Sequence, residues 1–176
     1  SVYYTLDGSE PTVNSFLYSS PVSIQENTVI KAASFRDGWL PSSIKTSTFI
    51  FEDQNSNLPA MFLSTDPDNF FDYNDGIYEM GPNASPDYPH FGANFWEDWE
   101  KPIFVEILEI DNTYYSSPAG VKIFGGWSRG QAQKSLSLFA RGQYSNNEFN
   151  YRFFPDSEIE KFQSLVHVSY THLTLP

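Results

Sequence analysis

Between Gly125 and Lys134 the chain reads GGWSRGQAQK, which gathers three glycines, a serine, an arginine and a lysine within ten residues. Glycine tolerates φ > 0 and close backbone approach, so consecutive N–H groups can turn toward one anion as a nest. Ser128 adds a hydroxyl, Arg129 a planar guanidinium fork and Lys134 a point charge, a donor set that suits a phosphate. The candidate anion-binding residues are therefore Gly125, Gly126, Ser128, Arg129 and Lys134. Charge supports the choice: residues 120–147 hold Lys122, Arg129, Lys134 and Arg141 and not one Asp or Glu. Before residue 120 the chain has 4 basic and 18 acidic residues, and from there on 6 and 4. The competing reading is a hairpin whose glycines only turn the chain and whose basic groups sit in water, since a glycine-rich loop alone is a weak signal.

Two short runs must position this loop. Val121–Phe124 and Lys134–Ala140 have the β-branched or alternating character of strands, which predicts a β-hairpin with a long glycine-rich connection. Period-2 alternation puts Lys134, Leu136, Leu138 and Ala140 on one face and Ser135, Ser137 and Phe139 on the other. The lysine thus shares an apolar face, from which it either snorkels to water or reaches into a cleft toward a phosphate.

At 176 residues the chain makes one domain or two small ones. Aromatics at 18%, with 12 Pro and 10 Gly and little helical periodicity, predict a mostly β class, α+β overall. A net charge of −12 argues against nucleic acid or an anionic membrane surface as main partner, because the summed field repels phosphate polymers. Cysteine is absent, which excludes a disulfide framework and thiolate metal sites and leaves the compartment open. No apolar run approaches the ~20 residues that span a bilayer. The chain opens at Ser1 in strand-like sequence without Met or a signal segment, which predicts a piece of a longer polypeptide with any export signal upstream.

Residues 2–51 contain four strand-like runs, VYYTL, FLY, VIKAASF and STFIF, separated by DGSEPT, SSP and RDGWLPS turn chemistry. YYTLDGSEPT, LYSSPVSI, TVIKAASFRDGWLPS and STFIF in this order resemble the immunoglobulin-like chitobiase/β-hexosaminidase C-terminal module, here without its first strands. The resemblance implies an accessory sandwich at 1–51 with a possible carbohydrate contact, for which Tyr3, Tyr4, Tyr18 and Trp39 are the candidate stacking rings. Residues 52–58 have linker composition. Asp66, Asp68, Asp72 and Asp75 then crowd a short stretch, but without the order of an EF-hand they read as turn formers. His90 stands alone in the Pro-rich loop 82–102 and makes no metal site, and Trp96 and Trp99 are expected to pack under that loop. Ile103–Ile110 alternates as a strand, Asp111-Asn112 opens a turn, and FFPD after it leads into a short helix or a turn.

From Leu58 to about Val166 a second resemblance holds. AMFLSTDPDNFFDYNDGIYEMGPN, ANFWEDWEKPIFVEILE, AGVKIFGGWSRGQAQKSLSLFARGQY and FFPDSEIEKFQSLV are similar, in order, to the N-terminal part of the CotH-type spore-coat kinase family. The resemblance implies an atypical kinase that uses ATP and a divalent metal, Mg, to phosphorylate Ser residues of proteins, in a bacterial protein that is extracellular or on the cell surface. Its GxxSR…QKS pattern falls on Gly125, Ser128, Arg129, Gln133, Lys134 and Ser135, which implies a hairpin over the nucleotide phosphates with Lys134 or Arg129 neutralising them. Residues 59–166 are then the β-rich N-terminal lobe of an atypical kinase fold. The family's catalytic acids lie further downstream, so no catalytic or metal-holding residue is assigned here and this stretch alone is expected not to turn over. Residues 167–176, HVSYTHLTLP, depart from the family and are expected to be non-native, so His167 and His172 join no site. The alternative class is a surface carbohydrate-binding, adhesion or structural coat protein, in which the sandwich and the aromatic loop at 88–99 do the work.

Overall fold

The computed structural model describes residues 1–51 and 58–169. The expected linker, except Leu58, and the end of the expected tail, His172 included, lie outside those residues. Strand dominates, at 34% of the chain against 7% helix, so the mostly β class holds.

The four runs expected in the first fifty residues are four strands, β1 (Val2–Thr5), β2 (Phe16–Leu17), β3 (Thr28–Ser34) and β4 (Lys45–Phe49), in the antiparallel sheet order β2-β1-β3-β4. The first turn is closed by Asp7, whose carboxylate accepts the Ser9 N–H at 3.0 Å and the Ser9 hydroxyl, while Gly8 supplies φ +83°. In the middle of β3, Lys31 is buried. Desolvation pulls its ammonium below the usual lysine range, and the carboxylates of Glu10, Asp66 and Asp7 oppose that shift.

The remaining strands are β5 (Ala60–Ser64), β6 (Lys101–Leu108), β7 (Tyr114–Phe124), β8 (Ser135–Phe139), β9 (Phe149–Asn150), β10 (Lys161–Phe162) and β11 (Ser164–His167). A five-stranded sheet has the order β11-β8-β7-β6-β5, and β9 pairs with β10 as a two-stranded ribbon. One short helix, α1 (Pro67–Phe71), follows β5. Apolar residues at every second position of β6, β7 and β8 are buried: Ile103, Val105 and Ile107, then Val121 and Ile123, then Leu136 and Leu138. On β8 the opposite face is buried too, because Ser135 and Ser137 are small enough to be covered. The Asp111-Asn112 turn forms as expected, with Asn112 at φ +65° and the Thr113 N–H on the Asp111 carboxylate at 2.9 Å. The FFPD corner is a turn, clamped by Arg152, whose guanidinium donates to Ser157 O and Pro155 O at 2.7 Å each.

By compactness the chain divides into one unit of residues 1–67 and 104–116 and another of 68–103 and 117–176. Residues 104–116 thus cluster with the N-terminal strands, whereas the sequence boundary falls at 52–58. Inside the first unit they are held by the β5–β6 ladder, from Ala60 opposite Leu108 to Ser64 opposite Phe104, and by a buried carboxylate. Glu106 on β6 is 1% exposed and accepts from the Thr48 N–H at 3.2 Å, the Thr48 hydroxyl, and the Tyr114 hydroxyl at 2.7 Å. Among the described residues no helix is long and apolar enough to cross a membrane.

Candidate functional site

The glycine-rich segment is the connection of an antiparallel hairpin, with Phe124 opposite Ser135 and Gly120 opposite Phe139. Its strands are those expected, although β7 begins seven residues before Val121, at Tyr114. Gly125 has φ +118°, a left-handed conformation that side chains resist, and a Cβ there would lie 2.3 Å from Ser128 Oγ. Residues Trp127–Gly130 then form a 3-10 turn. Within it the Arg129 N–H donates to Gly126 O and the Gln131 N–H to Ser128 O, so two of the loop's N–H groups close the loop on itself and are not presented outward.

The four basic residues of the hairpin fall into two pairs. At its base Lys122 binds Asp98 at 3.0 Å, and Arg141 binds both oxygens of Glu100 at 2.9 and 3.1 Å. The acid-free character of 120–147 is therefore compensated in space by the WEDWE stretch, and half of the expected positive charge is neutralised. At the tip the other two cations have no ion pair among the described residues. Arg129 folds back, its Nε donating to Gly125 O at 2.7 Å and Nη1 to Trp96 O at 3.1 Å.

Lys134 does not snorkel. It is 6% exposed, and its Nζ donates to Arg129 O and Gln131 O at 2.8 Å each. The ammonium lies 3.9 Å from the centroid of Phe95 and 5.5 Å from that of Tyr78, both aromatic faces toward which a cation is drawn. Burial pushes its pKa below the lysine value of 10.5, and no neighbouring acid offsets the shift. The Tyr78 hydroxyl donates to Lys134 O at 3.3 Å, and burial raises its pKa. Ser135 is buried and occupied by Ser169, whose N–H donates to Ser135 Oγ at 3.0 Å. His167 ends β11, opposite Leu136, and is exposed.

The 82–102 loop supplies the surroundings that sequence reasoning missed. Tyr88 donates its hydroxyl to Trp127 O at 3.2 Å and accepts from Gln131 Nε2 at 3.1 Å. Trp96 is half-buried and its indole N–H donates to Pro89 O at 2.9 Å, as expected of a ring packed in the loop. The signal for these contacts was the aromatic density of residues 88–99, which does not say which ring goes where. Within the acid-rich stretch Asp72 is a turn former, accepting the N–H groups of Asn74 and Asp75, whereas Asp66 accepts the Glu10 N–H at 3.0 Å and Asp75 pairs with Lys101 at 2.6 Å. Among the described residues no three His, Cys, Asp or Glu side chains are grouped to hold a metal ion.

The fold is thus that of a mostly β protein with an antiparallel, Ig-compatible sheet at its N-terminus. Residues 1–49 match the family model described as Fn3 associated, a fibronectin-III-associated domain. No curated protein and no solved structure matches the chain.

Proposed function

We propose that residues 59–166 are the nucleotide-facing lobe of a CotH-type, ATP-dependent kinase of protein serines, and that the Fn3-associated region before them is an accessory module of the chitobiase/β-hexosaminidase C-terminal kind. The observation that carries this reading is the pattern of charge compensation. In a protein of net charge −12, the two cations at the base of the hairpin have carboxylate partners, and the two at its glycine-rich tip, Arg129 and Lys134, have only carbonyls and rings. A triphosphate supplies the missing anion. The Lys134 ammonium already makes charge-assisted bonds to two carbonyls, and a phosphate adds the opposite charge that those neutral acceptors lack.

At this tip ATP would meet two cations without carboxylate partners, whose present carbonyl contacts its phosphates would displace; the metal does not find its ligands here. The described residues offer no carboxylate set for it, and on the family resemblance those acids belong to sequence downstream of Val166. The work assigned to this stretch is therefore binding and neutralisation: Arg129 and Lys134 balance phosphate charge, Ser128 donates its hydroxyl, and the loop covers the site. On this reading the protein is exported and has protein serines as its substrates.

Calorimetric titration with ATP and with tripolyphosphate tests the reading. Both should bind, binding should weaken with added salt, and Arg129→Gln and Lys134→Met should each lower affinity by roughly tenfold, the loss of one charge-assisted contact. A folded chain that binds neither anion would sink the proposal.

A further inference from the structure

The N-terminal sheet carries a second candidate site, with no dependence on the hairpin. Arg36-Asp37-Gly38-Trp39 is a tight turn: the Trp39 N–H donates to Arg36 O at 3.0 Å, and Gly38 takes φ +76° with nothing within 4 Å of where a Cβ would be. The turn pushes the largest apolar side chain of the segment outward, and Trp39 is 69% exposed. It is not loose, since the Arg36 guanidinium stands 5.1 Å from its ring centroid. Beside it Tyr3 and Phe35 pack edge to face at 5.7 Å, and with Val13 these residues line a cleft of about 530 Å³. That lies within the ~300–1,000 Å³ of small-molecule sites.

The chemistry of the lining selects the ligand. Arg36 is a donor fork and Asp37 an acceptor, and neither forms an ion pair among the described residues. Ser1 also lines the cleft, its amino group donating to Phe35 O at 2.9 Å, and the two charged side chains beside it, Arg36 and Asp37, are opposite in sign. The exposed indole offers a flat apolar face. A ligand with apolar ring faces and an equatorial belt of hydroxyls, each both donor and acceptor, satisfies all three groups at once. We propose that this cleft binds a neutral glycan, with Trp39 stacking on a pyranose face and Arg36 and Asp37 reading its hydroxyls.

The test is titration of the whole 176-residue chain with chitohexaose and cellohexaose, followed by tryptophan emission and calorimetry, with decaproline as a peptide competitor. At least one sugar should bind with little dependence on salt. Trp39→Ala should weaken it by about tenfold or more, the ~1.4 kcal/mol of one lost stacking face. Because Trp39 is exposed, that variant should melt as the wild type does. Asp37→Asn, which keeps the shape and removes the charge, is the second variant and should weaken binding without altering emission of the free protein. Lys134→Met should leave sugar affinity unchanged, which separates this site from the hairpin tip. Absence of binding to both sugars, affinity that survives Trp39→Ala, or decaproline binding in place of the sugars would each overturn the assignment.

Discussion

Lys134 is the residue on which the two readings of the hairpin divide. A buried ammonium without a counter-ion is costly, and here it is held by two carbonyls and a ring face, contacts worth about 1.5–3 kcal/mol and up to ~2 kcal/mol respectively. Such a group is either a structural pin for the loop or a charge held ready for an anion, and its protonation equilibrium reports on the burial that both require. Burial places its folded-state pKa below 10.5. Between those two values the unfolded chain binds more protons than the folded chain, so the stability linked to this site rises with pH across that window. Replacement by Met keeps the volume and removes the charge, and at neutral pH should be neutral or stabilising by about 1 kcal/mol. Urea denaturation of wild type and Lys134→Met in parallel should therefore show the wild type gaining on the variant as pH climbs toward 10.5. A difference that stays flat across that range would reject the buried cation.

At the scale of elements, the hairpin is fixed at its base by packing as much as by its ladder. A Cβ on Gly120 would come within 2.4 Å of Glu100 Oε1 and 2.7 Å of Tyr144 Cε2. Gly120 is thus small because the Arg141–Glu100 pair crosses it. Gly120→Ala should displace the carboxylate and cost about 1–3 kcal/mol, as overpacking does, and should cost distinctly less in a Glu100→Ala background. Equal losses in the two backgrounds, measured by denaturation, would show that Glu100 is not what the glycine accommodates. This contact also marks the limit of what periodicity reveals. β1 to β4 were legible from the turn chemistry that separates them, and β6 and the hairpin strands because apolar residues alternate along them. The short strands β9 to β11 were not, since two to four residues carry no period and form only when a partner strand is at hand. Gly125, Ser128, Arg129 and Lys134 were found by type and spacing, but their partners were not. Phe95 and Tyr78 lie far upstream of Lys134, and nothing local ties an aromatic to the cation it will cover. Asp98 and Glu100 left a fainter signal, an acidic cluster matched by a basic stretch without acids.

At the scale of the whole molecule, the region matched as Fn3 associated is tied by a polar network to sequence beyond it. Glu106 is an acceptor-only carboxylate that meets three donors, two from Thr48 on β4 and one from Tyr114 on β7, and Ser64 on β5 touches the same Thr48 hydroxyl at 3.3 Å. Burial first, and the bond to Glu106 next, push the Tyr114 hydroxyl up to about 12. All four residues belong to the first compact unit, so β4 and β6 should open together and not as parts of separate domains. Glu106→Ala strands three donors away from their acceptor and should cost on the order of 3 kcal/mol, the upper range for bonds to a charged group. Glu106→Gln should cost about half as much, because one amide oxygen still accepts while the Thr48 hydroxyl can turn to donate to Ser64. Native-state hydrogen exchange reads the consequence directly. In the alanine variant, amides of Lys45–Phe49 and of Phe104–Leu108 should lose protection by the same free energy, as members of one cooperative unit do. If the β4 amides exchange faster while those of β6 keep their protection, the N-terminal sheet is a separate folding unit and Glu106 only decorates its boundary.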